Sequence, residues 1–471
     1  MKRIQYKILL ALVGTLLVLI STMPAMLQPI KSESDKGQEN VVRPQVASYP
    51  DYCYTIGTTS VSGSDNAHFN MATQVAVNSS GDLYVADELN HRVQVFNPAG
   101  VYQYTIGTAG TPGTDNAHFN YPQGVAVNAS GHVYVVDSGN HRVQVFDNVG
   151  NYQYTIGNTS NYGADNTHLN IPIDVAVNAT GYAYVADSYN HRVQVFDNAG
   201  NYQYTIGVSG VSGSDNITFD TPYGVAVNVT GNVYVADYKN NRVQVFDKAG
   251  NYQYTIGVTG ESGNDNAHFN YPLGVEVNVT GHLYVADTFN HRVQVFDNAG
   301  TYQYTIGVTG ESGNDNAHFY EPCGVAINGT GHLYVADTSN DRVQVFGVLA
   351  PTGLVIDING GAAETGSISV TLTLSASGAT EMCFSNNGTT YTTWEPYNTT
   401  KAWVLDSSPG MKTVYFKVRN SVYESAPVSD TITYTPPSGG GIPGFPLVVL
   451  LAAISLGTLS LRLRIKRISL T

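Results

Sequence analysis

Carboxylate and imidazole side chains recur at fixed positions along the chain. At six places, fifty residues apart, an Asp is followed by Asn, and in five of them a His stands two residues after that Asn. Such groups could hold calcium, which prefers carboxylate and carbonyl oxygens, or form an acidic surface for a cationic partner. They could equally be Asx turns that only shape a loop. The candidate binding-face residues are Asp65, Asp115, Asp165, Asp215, Asp265, Asp315, His118 and His268.

Three further polar side chains interrupt the repetition. Gln74 and Asp174 stand where the other copies have Gly, and Glu276 stands where the other copies have Ala. All three have the same parity in strands that alternate with a period of two, so they should face the same way. If these strands surround one axis, their oxygen atoms could hold a cation, with calcium as the candidate cofactor. The alternative is sequence drift at three inner positions.

Short strands would position these residues. Residues 124–157 read GVAVNASGHVYVVDSGNHRVQVFDNVGNYQYTIG, which contains four β-rich runs separated by turn residues. Residues 51–346 lack the 3.6-residue period of an amphipathic helix. Six copies of one four-stranded sheet predict an all-β, six-bladed β-propeller over residues 51–346.

The repeated sequence resembles a known family. The pattern GVAVN-x-S/T-G-x-x-YVAD-x-x-NHRVQVF resembles the NHL repeat, six times over, and that resemblance implies the same propeller fold. Five units are complete, whereas the sixth stops at Phe346 without a last strand. Residues 52–57, YCYTIG, precede the first unit and match the missing strand. We therefore expect strand exchange to close the ring, which removes an exposed sheet edge.

The turns of each unit predict two different faces. In the Asp-x-x-Asn-His-Arg turn, the Asp and Asn should satisfy turn backbone while the Arg bonds an acidic neighbour. A metal-binding or catalytic His is disfavoured there, because equivalent residues lie on separate blades. The first-to-second turns of a propeller lie on one face and the inter-blade loops on the other. The long inter-blade loops therefore mark the predicted binding face.

Asparagine sequons indicate an exported glycoprotein. Ten N-x-S/T motifs occur, and six of them recur in the first-to-second turn, where glycans would surround one rim. The alternative is that Asn, Ser and Thr are simply common in turns. The six recurrent candidate glycosylation sites are Asn78, Asn128, Asn178, Asn228, Asn278 and Asn328.

The two ends of the chain predict a membrane-anchored protein. Residues 1–26 have the basic-then-apolar order of a signal peptide or N-terminal anchor, and residues 27–50 follow as a linker. A Pro/Gly/Ser linker at 436–444 leads into a predicted transmembrane helix at 445–461 and a basic cytoplasmic tail at 462–471. The PGF before the helix resembles archaeal surface-sorting tails, which implies that the tail could be exchanged for a lipid anchor.

Residues 350–435 predict a second, smaller domain. Alternating strands at a spacing of about eight to twelve residues indicate a β-sandwich. The segment resembles the Ig-like or fibronectin-like modules of microbial surface proteins. That resemblance implies a stalk between the propeller and the membrane.

Charge narrows the possible functions. Residues 51–346 contain 26 acidic and 8 basic side chains, a net charge of −18, which disfavours a nucleic-acid partner. Catalysis needs different residues that converge, so the near identity of the units favours non-enzymatic binding or scaffolding for a protein or glycan at the cell surface. The alternative is an extracellular metal-dependent lyase or hydrolase with its site in the propeller tunnel.

Overall fold

The computed structural model describes residues 50–347, 350–420 and 423–437. Their regular structure is β-strand, interrupted by 3-10 turns of three residues. No helix in this part of the chain is long and apolar enough to span a bilayer. The segments predicted as signal or anchor (1–26), transmembrane helix (445–461) and basic tail (462–471) lie outside the described residues.

Strand β1 (Asp51–Ile56) precedes three complete four-stranded antiparallel sheets. Blade 1 contains β2 (Ala72–Val77), β3 (Leu83–Asp87), β4 (Arg92–Phe96) and β5 (Tyr102–Ile106). Blade 2 contains β6 (Pro122–Val127), β7 (Val133–Asp137), β8 (Arg142–Phe146) and β9 (Tyr152–Gly157). Blade 3 contains β10 (Asp174–Val177), β11 (Ala183–Asp187), β12 (Arg192–Phe196) and β13 (Tyr202–Gly207).

Two further complete blades and one shortened unit follow. Blade 4 contains β14 (Pro222–Val227), β15 (Val233–Asp237), β16 (Arg242–Phe246) and β17 (Tyr252–Ile256). Blade 5 contains β18 (Pro272–Val277), β19 (Leu283–Asp287), β20 (Arg292–Phe296) and β21 (Tyr302–Ile306). Blade 6 contributes β22 (Pro322–Ile327), β23 (Leu333–Asp337) and β24 (Arg342–Gly347). The first strand of every blade lines the central tunnel.

Strand exchange completes blade 6, as the sequence predicts. Strand β1 pairs antiparallel with β24, placing Tyr52 opposite Phe346 and Ile56 opposite Val343. The sheet order is therefore β1-β24-β23-β22. Because the first strand of the domain is the outer strand of the last blade, both ends of the propeller are held in one sheet.

A 3-10 turn joins the second and third strands of each blade, and it is the same turn that carries the Asp-x-x-Asn sequence. The residue after this turn has a left-handed conformation, as shown by φ 54 at His191. Asn, Asp and His tolerate that conformation better than most residues. The six turns span Glu88–Asn90, Ser138–Asn140, Ser188–Asn190, Tyr238–Asn240, Thr288–Asn290 and Thr338–Asn340.

The hydrophobic core lies between neighbouring blades. All five residues of each RVQVF strand are buried, although they alternate between the two faces of the sheet. Val193 and Val195 of blade 3 share a cluster with Val225 and Val233 of blade 4. Both faces of each sheet are therefore covered by adjacent blades, which explains why a polar residue in this strand is also buried.

Two sheets form the second domain. Its strands are β25 (Thr352–Ile358), β26 (Glu364–Thr365), β27 (Ser369–Ser377), β28 (Glu381–Ser385), β29 (Glu395–Pro396), β30 (Thr400–Val404), β31 (Gly410–Arg419) and β32 (Val428–Tyr434). The orders are β25-β27-β30 and β26-β32-β31-β28-β29. Leu372 of the first sheet and Phe416 of the second lie in one hydrophobic cluster. This arrangement fits a β-sandwich.

Candidate functional site

The buried arginine of each blade has a structural role. Arg192 Nε donates to Asp187 Oδ2 at 2.8 Å, and its two Nη atoms donate to the backbone oxygens of Ala164 and Asp165 at 2.8 and 2.7 Å. Burial raises the pKa of Asp187, and the Arg192 charge opposes that shift. The predicted Asp–Arg bond is confirmed. It also ties the turn between the second and third strands to the inter-blade loop, so both lie on one face.

The histidine of the same turn joins neighbouring blades. The backbone N–H of Tyr121 donates to His91 Nδ1 at 3.2 Å, and that of Thr221 donates to His191 Nδ1 at 3.1 Å. Where the repeat has Asn241 instead of His, its Oδ1 accepts the equivalent bond from Tyr271 at 2.8 Å. Asn replaces His there because the position requires an acceptor in a left-handed conformation.

The repeated loop aspartates form Asx turns and an acidic surface together. Asp65 Oδ1 accepts from the Ala67 N–H at 2.8 Å and lies 2.6 Å from His68 Nδ1, while its side chain remains 67% exposed. The hydrogen bond to His68 is the main cause that lowers the pKa of Asp65. One such carboxylate lies in each inter-blade loop, at Asp65, Asp115, Asp165, Asp215, Asp265 and Asp315.

His118 and His268 contact the aspartates of their own loops. Their Nδ1 atoms each lie 2.7 Å from Asp115 and Asp265 respectively. Each imidazole is thus engaged within its loop. The structure therefore places these predicted residues on one face, but distributes them over separate blades.

The three symmetry-breaking residues lie together in the tunnel, as their parity predicts. Gln74, Asp174 and Glu276 line one cavity of about 110 Å³. Asp174 Oδ2 accepts from the Val225 N–H at 3.1 Å. Burial raises the pKa of Asp174 to about 7, against the opposing hydrogen bonds from Val225 and Gln74. Burial and the charge of Asp174 raise the pKa of Glu276 to about 8.

These tunnel residues offer few ligands for a cation. Calcium takes about six to eight oxygen ligands, whereas this set supplies two carboxyl groups and one amide. Among the described residues, no group of three or more His, Cys, Asp or Glu side chains is arranged to hold a metal ion. The first strands of blades 2 and 3 also approach each other closely, since a Cβ added at Gly124 would lie 2.7 Å from Asp174 Cα.

Several differences between the blades lie where the tunnel opens on the inter-blade loop face. Thr73, Gln123, Tyr223 and Cys323 line a small cavity at this tunnel mouth. The residue preceding the Gly-equivalent position differs in every blade: Thr73, Gln123, Ile173, Tyr223, Leu273 and Cys323. The first residue of the 3-10 turn also varies: Glu88, Ser138, Ser188, Tyr238, Thr288 and Thr338.

A hydrogen-bonded chain connects three of these variable residues. Gln123 Nε2 donates to Glu88 Oε1 at 3.0 Å, and the Tyr223 hydroxyl donates to Gln123 Oε1 at 3.5 Å. Burial raises the pKa of Glu88 to about 7, although the Gln123 bond opposes that shift. The sequence patterns did not predict this hydrogen-bonded chain. A position-by-position comparison of the six units would have singled out its members.

Four aromatic rings continue along the same mouth and are called here the aromatic arc: Tyr223, Tyr238, Tyr271 and Phe289. Successive ring centroids are 5.9, 4.9 and 5.5 Å apart. Tyr271 is 38% exposed, and the other three rings are partly exposed. The arc spans blades 4 and 5, so it is confined to one side of the tunnel mouth.

The propeller surface is more uniformly acidic than its sequence suggests. All six arginines of residues 51–346 are buried against aspartates. The other two basic residues of that range, Lys239 and Lys248, are exposed. Lys239 Nζ lies 3.6 Å from Asp220 Oδ1 at the edge of the tunnel mouth. The exposed charge is therefore almost entirely negative, which favours cationic partners over anionic ones.

The recurrent sequons lie in the first-to-second turns, but their asparagines are engaged. Asn228 Oδ1 accepts from the backbone N–H groups of Thr230 and Asn232, and its Nδ2 donates to the Tyr234 hydroxyl at 3.3 Å. Asn78, Asn128, Asn178, Asn228, Asn278 and Asn328 are all partly buried. By contrast, the sequon residues Asn158, Asn216, Asn387 and Asn398 are exposed.

The NHL repeat model matches residues 69–96, 119–146, 169–196, 219–246, 269–296 and 319–346. The chain therefore contains six NHL repeats, and its six four-stranded sheets fit a six-bladed β-propeller. No curated protein matches the chain by sequence.

Several solved structures are similar to this chain. A protein of unknown function from Bacteroides thetaiotaomicron aligns with a TM-score of 0.51 at 19% identity, covering 62% of this chain and 75% of that one. A gluconolactonase from Xanthomonas campestris aligns with a TM-score of 0.45 at 16% identity, over 65% and 99% of the two chains. Virginiamycin B lyase from Staphylococcus aureus gives a TM-score of 0.41 at 11% identity, over 59% and 96%. At these identities the likeness concerns the fold alone.

Proposed function

We propose that this protein is a membrane-anchored, extracellular propeller that binds or scaffolds a protein or glycan partner at the cell surface. The observation that carries this proposal is the location of the differences between blades. The turns and strands that hold the ring together repeat almost unchanged, whereas the residues around one tunnel mouth differ from blade to blade. A surface whose residues differ, carried on turns and strands that stay the same, is suited to recognition.

The hydrogen bonds that recur in every blade support binding rather than catalysis. Each buried Asp–Arg pair and each left-handed His, Asn or Asp is used to join loops and blades. These groups therefore have a structural role in the ring. What remains on the loop face is an acidic, aromatic-bearing surface, whose chemistry is that of a binding site.

Export and anchoring rest on the sequence of the two ends. The basic-then-apolar segment at 1–26 supports translocation, and the apolar segment at 445–461 with basic residues after it supports a single-pass anchor with a cytoplasmic C-terminus. Exchange of that tail for a lipid would keep the propeller on the same side. The second domain would then separate the propeller from the membrane.

Capture from native membranes tests the proposal. The full-length protein is crosslinked in intact cells, purified, and compared with a variant that carries Asp265→Asn and Asp315→Asn on the loop face. We expect a defined partner that is recovered with the wild type and reduced with the variant. Recovery of no partner by the wild type would contradict a binding role.

A metal-dependent lyase or hydrolase remains the second candidate, because Asp174 and Glu276 lie together in the tunnel. The cavity of about 110 Å³ argues against it, since pockets for organic ligands are typically about 300 Å³ or larger. Calorimetric titration of calcium into the wild type and the Glu276→Ala variant decides the point. Heat of binding that is lost in the variant would favour the enzyme, and identical heats would exclude a calcium site involving Glu276.

A further inference from the structure

At the tunnel mouth, two of the six blades lack a hydrogen bond that the other four form. In blades 2, 3, 5 and 6 the first residue of the 3-10 turn is Ser or Thr, and its hydroxyl donates to a backbone carbonyl of the next blade. Ser188 Oγ donates to Pro222 O at 2.6 Å, and Thr288 Oγ1 donates to Pro322 O at 2.8 Å. Glu88 and Tyr238 occupy this position in blades 1 and 4, so neither can make that short hydroxyl bridge.

In blade 4 the replacing residue, Tyr238, packs against aromatic side chains at neighbouring positions. Tyr238 packs at 5.9 Å from Tyr223 and at 4.9 Å from Tyr271, measured between ring centroids. Tyr271 has a left-handed conformation, with φ 53. Thr221 occupies the equivalent position of the preceding loop and has φ 58. Because the repeat tolerates smaller residues at these places, structural need alone does not account for the aromatic arc.

The charged groups beside the aromatic arc are Lys239, Asp220 and Glu321, and Lys239 Nζ lies 3.6 Å from Asp220 Oδ1, so this pair is balanced and Glu321 adds a net negative charge. Glu321 lies at the Phe289 end of the arc, because its backbone N–H donates to His291 Nδ1 at 3.2 Å and His291 directly follows the 3-10 turn that contains Phe289. Glu321 accepts a bond from Ser339 Oγ at 2.8 Å, which fixes one carboxylate oxygen. Partly exposed rings with a carboxylate beside them attract a positive charge through the ring quadrupole and by direct Coulomb attraction.

We propose that the aromatic arc binds the cationic side chain, Arg or Lys, of a basic segment in a partner polypeptide. This proposal rests on the proposed function and specifies the partner chemistry. A guanidinium or ammonium group would lie against the faces of Tyr238 and Tyr271, with Glu321 balancing its charge. A neutral sugar could also stack on these rings, but it would gain nothing from the acidic surface, so charge complementarity favours the cation.

Binding of an Arg-Gly repeat octapeptide to the purified full-length protein tests this subsite, with a Gln-Gly octapeptide as the uncharged control ligand. The test variant combines Tyr238→Thr with Tyr271→Thr, residues that the repeat itself uses at the equivalent Thr288 and Thr221. A second variant, Tyr238→Phe, keeps the ring. The control variant, Tyr162→Ser, removes an exposed aromatic ring from the same face but outside the arc.

We expect the Arg-Gly peptide to bind the wild type, the Tyr238→Phe variant and the Tyr162→Ser variant with similar affinity, and the double variant about fivefold more weakly or worse. Equal affinity of all four proteins would overturn the arc as the subsite while leaving a binding role for the loop face. Absence of peptide binding, or binding of neutral oligosaccharides instead, would overturn the cationic ligand. None of these outcomes would contradict partner capture in cells, so the aromatic-arc proposal and the proposed binding function can fail separately.

Discussion

Replacing Glu276 by Ala should stabilise the propeller at neutral pH. Five of the six blades carry Ala at this position, so the smaller side chain already suits the fold. In the folded protein, burial and the Asp174 charge raise the pKa of Glu276 from 4.5 to about 8. A carboxyl group with a raised folded pKa binds its proton more tightly when folded. Its contribution to stability is therefore lost as pH rises from about 4.5 towards 8.

The size of the effect follows from the separation of the two pKa values. Each pKa unit corresponds to about 1.4 kcal/mol of free energy. Between pH 5 and pH 7 the unfolded carboxyl is largely ionised while the folded one still holds its proton, so the wild type should lose about 2 kcal/mol through this group. The Glu276→Ala variant should lack that loss.

Urea unfolding followed by circular dichroism at pH 5, 6, 7 and 8 measures this difference. Glu261→Val is the matched control, since Glu261 is 72% exposed and Val211 occupies the equivalent position in another loop. The control should change the free energy of unfolding by no more than about 0.5 kcal/mol. The reasoning is refuted if Glu276→Ala is no more stable than the wild type at pH 7, or if both proteins lose the same free energy between pH 5 and pH 7.

Three further outcomes are expected. Removal of residues 1–57 deletes β1 and exposes β24, so size-exclusion chromatography in detergent should show association or aggregation. Removal of 1–48 should leave a monodisperse protein, and equal behaviour would argue against closure by β1. Arg192→Met leaves Asp187 buried without its partner and should cost about 3–5 kcal/mol in urea unfolding, so a loss below about 1 kcal/mol would contradict the role of this pair. Mass spectrometry of the protein purified from its native cells should find higher glycan occupancy at the exposed Asn216 than at the hydrogen-bonded Asn228, and the reverse order would show that local accessibility does not select the sites.

Much of the architecture could be predicted from the sequence because it is set by local signals that repeat. The missing last strand after Phe346 predicted the exchange with β1, and the Asp-x-x-Asn-His-Arg turn predicted the bond between Asp187 and Arg192. The common parity of Gln74 and Asp174 placed them in the tunnel. Each of these predictions needs only strand alternation, turn chemistry and the count of strands.

The tunnel mouth could not be predicted in the same way, since its contacts join residues from different repeats. Glu88, Gln123 and Tyr223 belong to blades 1, 2 and 4, and their proximity depends on the curvature of the ring. The inter-blade role of His191 is hidden for the same reason. Its acceptor atom meets a backbone N–H thirty residues further along the chain. The sequence of a single repeat unit does not contain these contacts between repeats.

Closure through β1 has a mechanical consequence. The polypeptide leaves the propeller at the end of β24 and continues into the second domain, so tension applied through that domain reaches the ring at this strand. With β1 on one side and β23 on the other, β24 is hydrogen-bonded along both edges. Without β1, β24 would be an edge strand, and its hydrogen bonds to β23 could break one at a time. The exchanged strand therefore places the point at which tension enters the ring in the interior of a sheet.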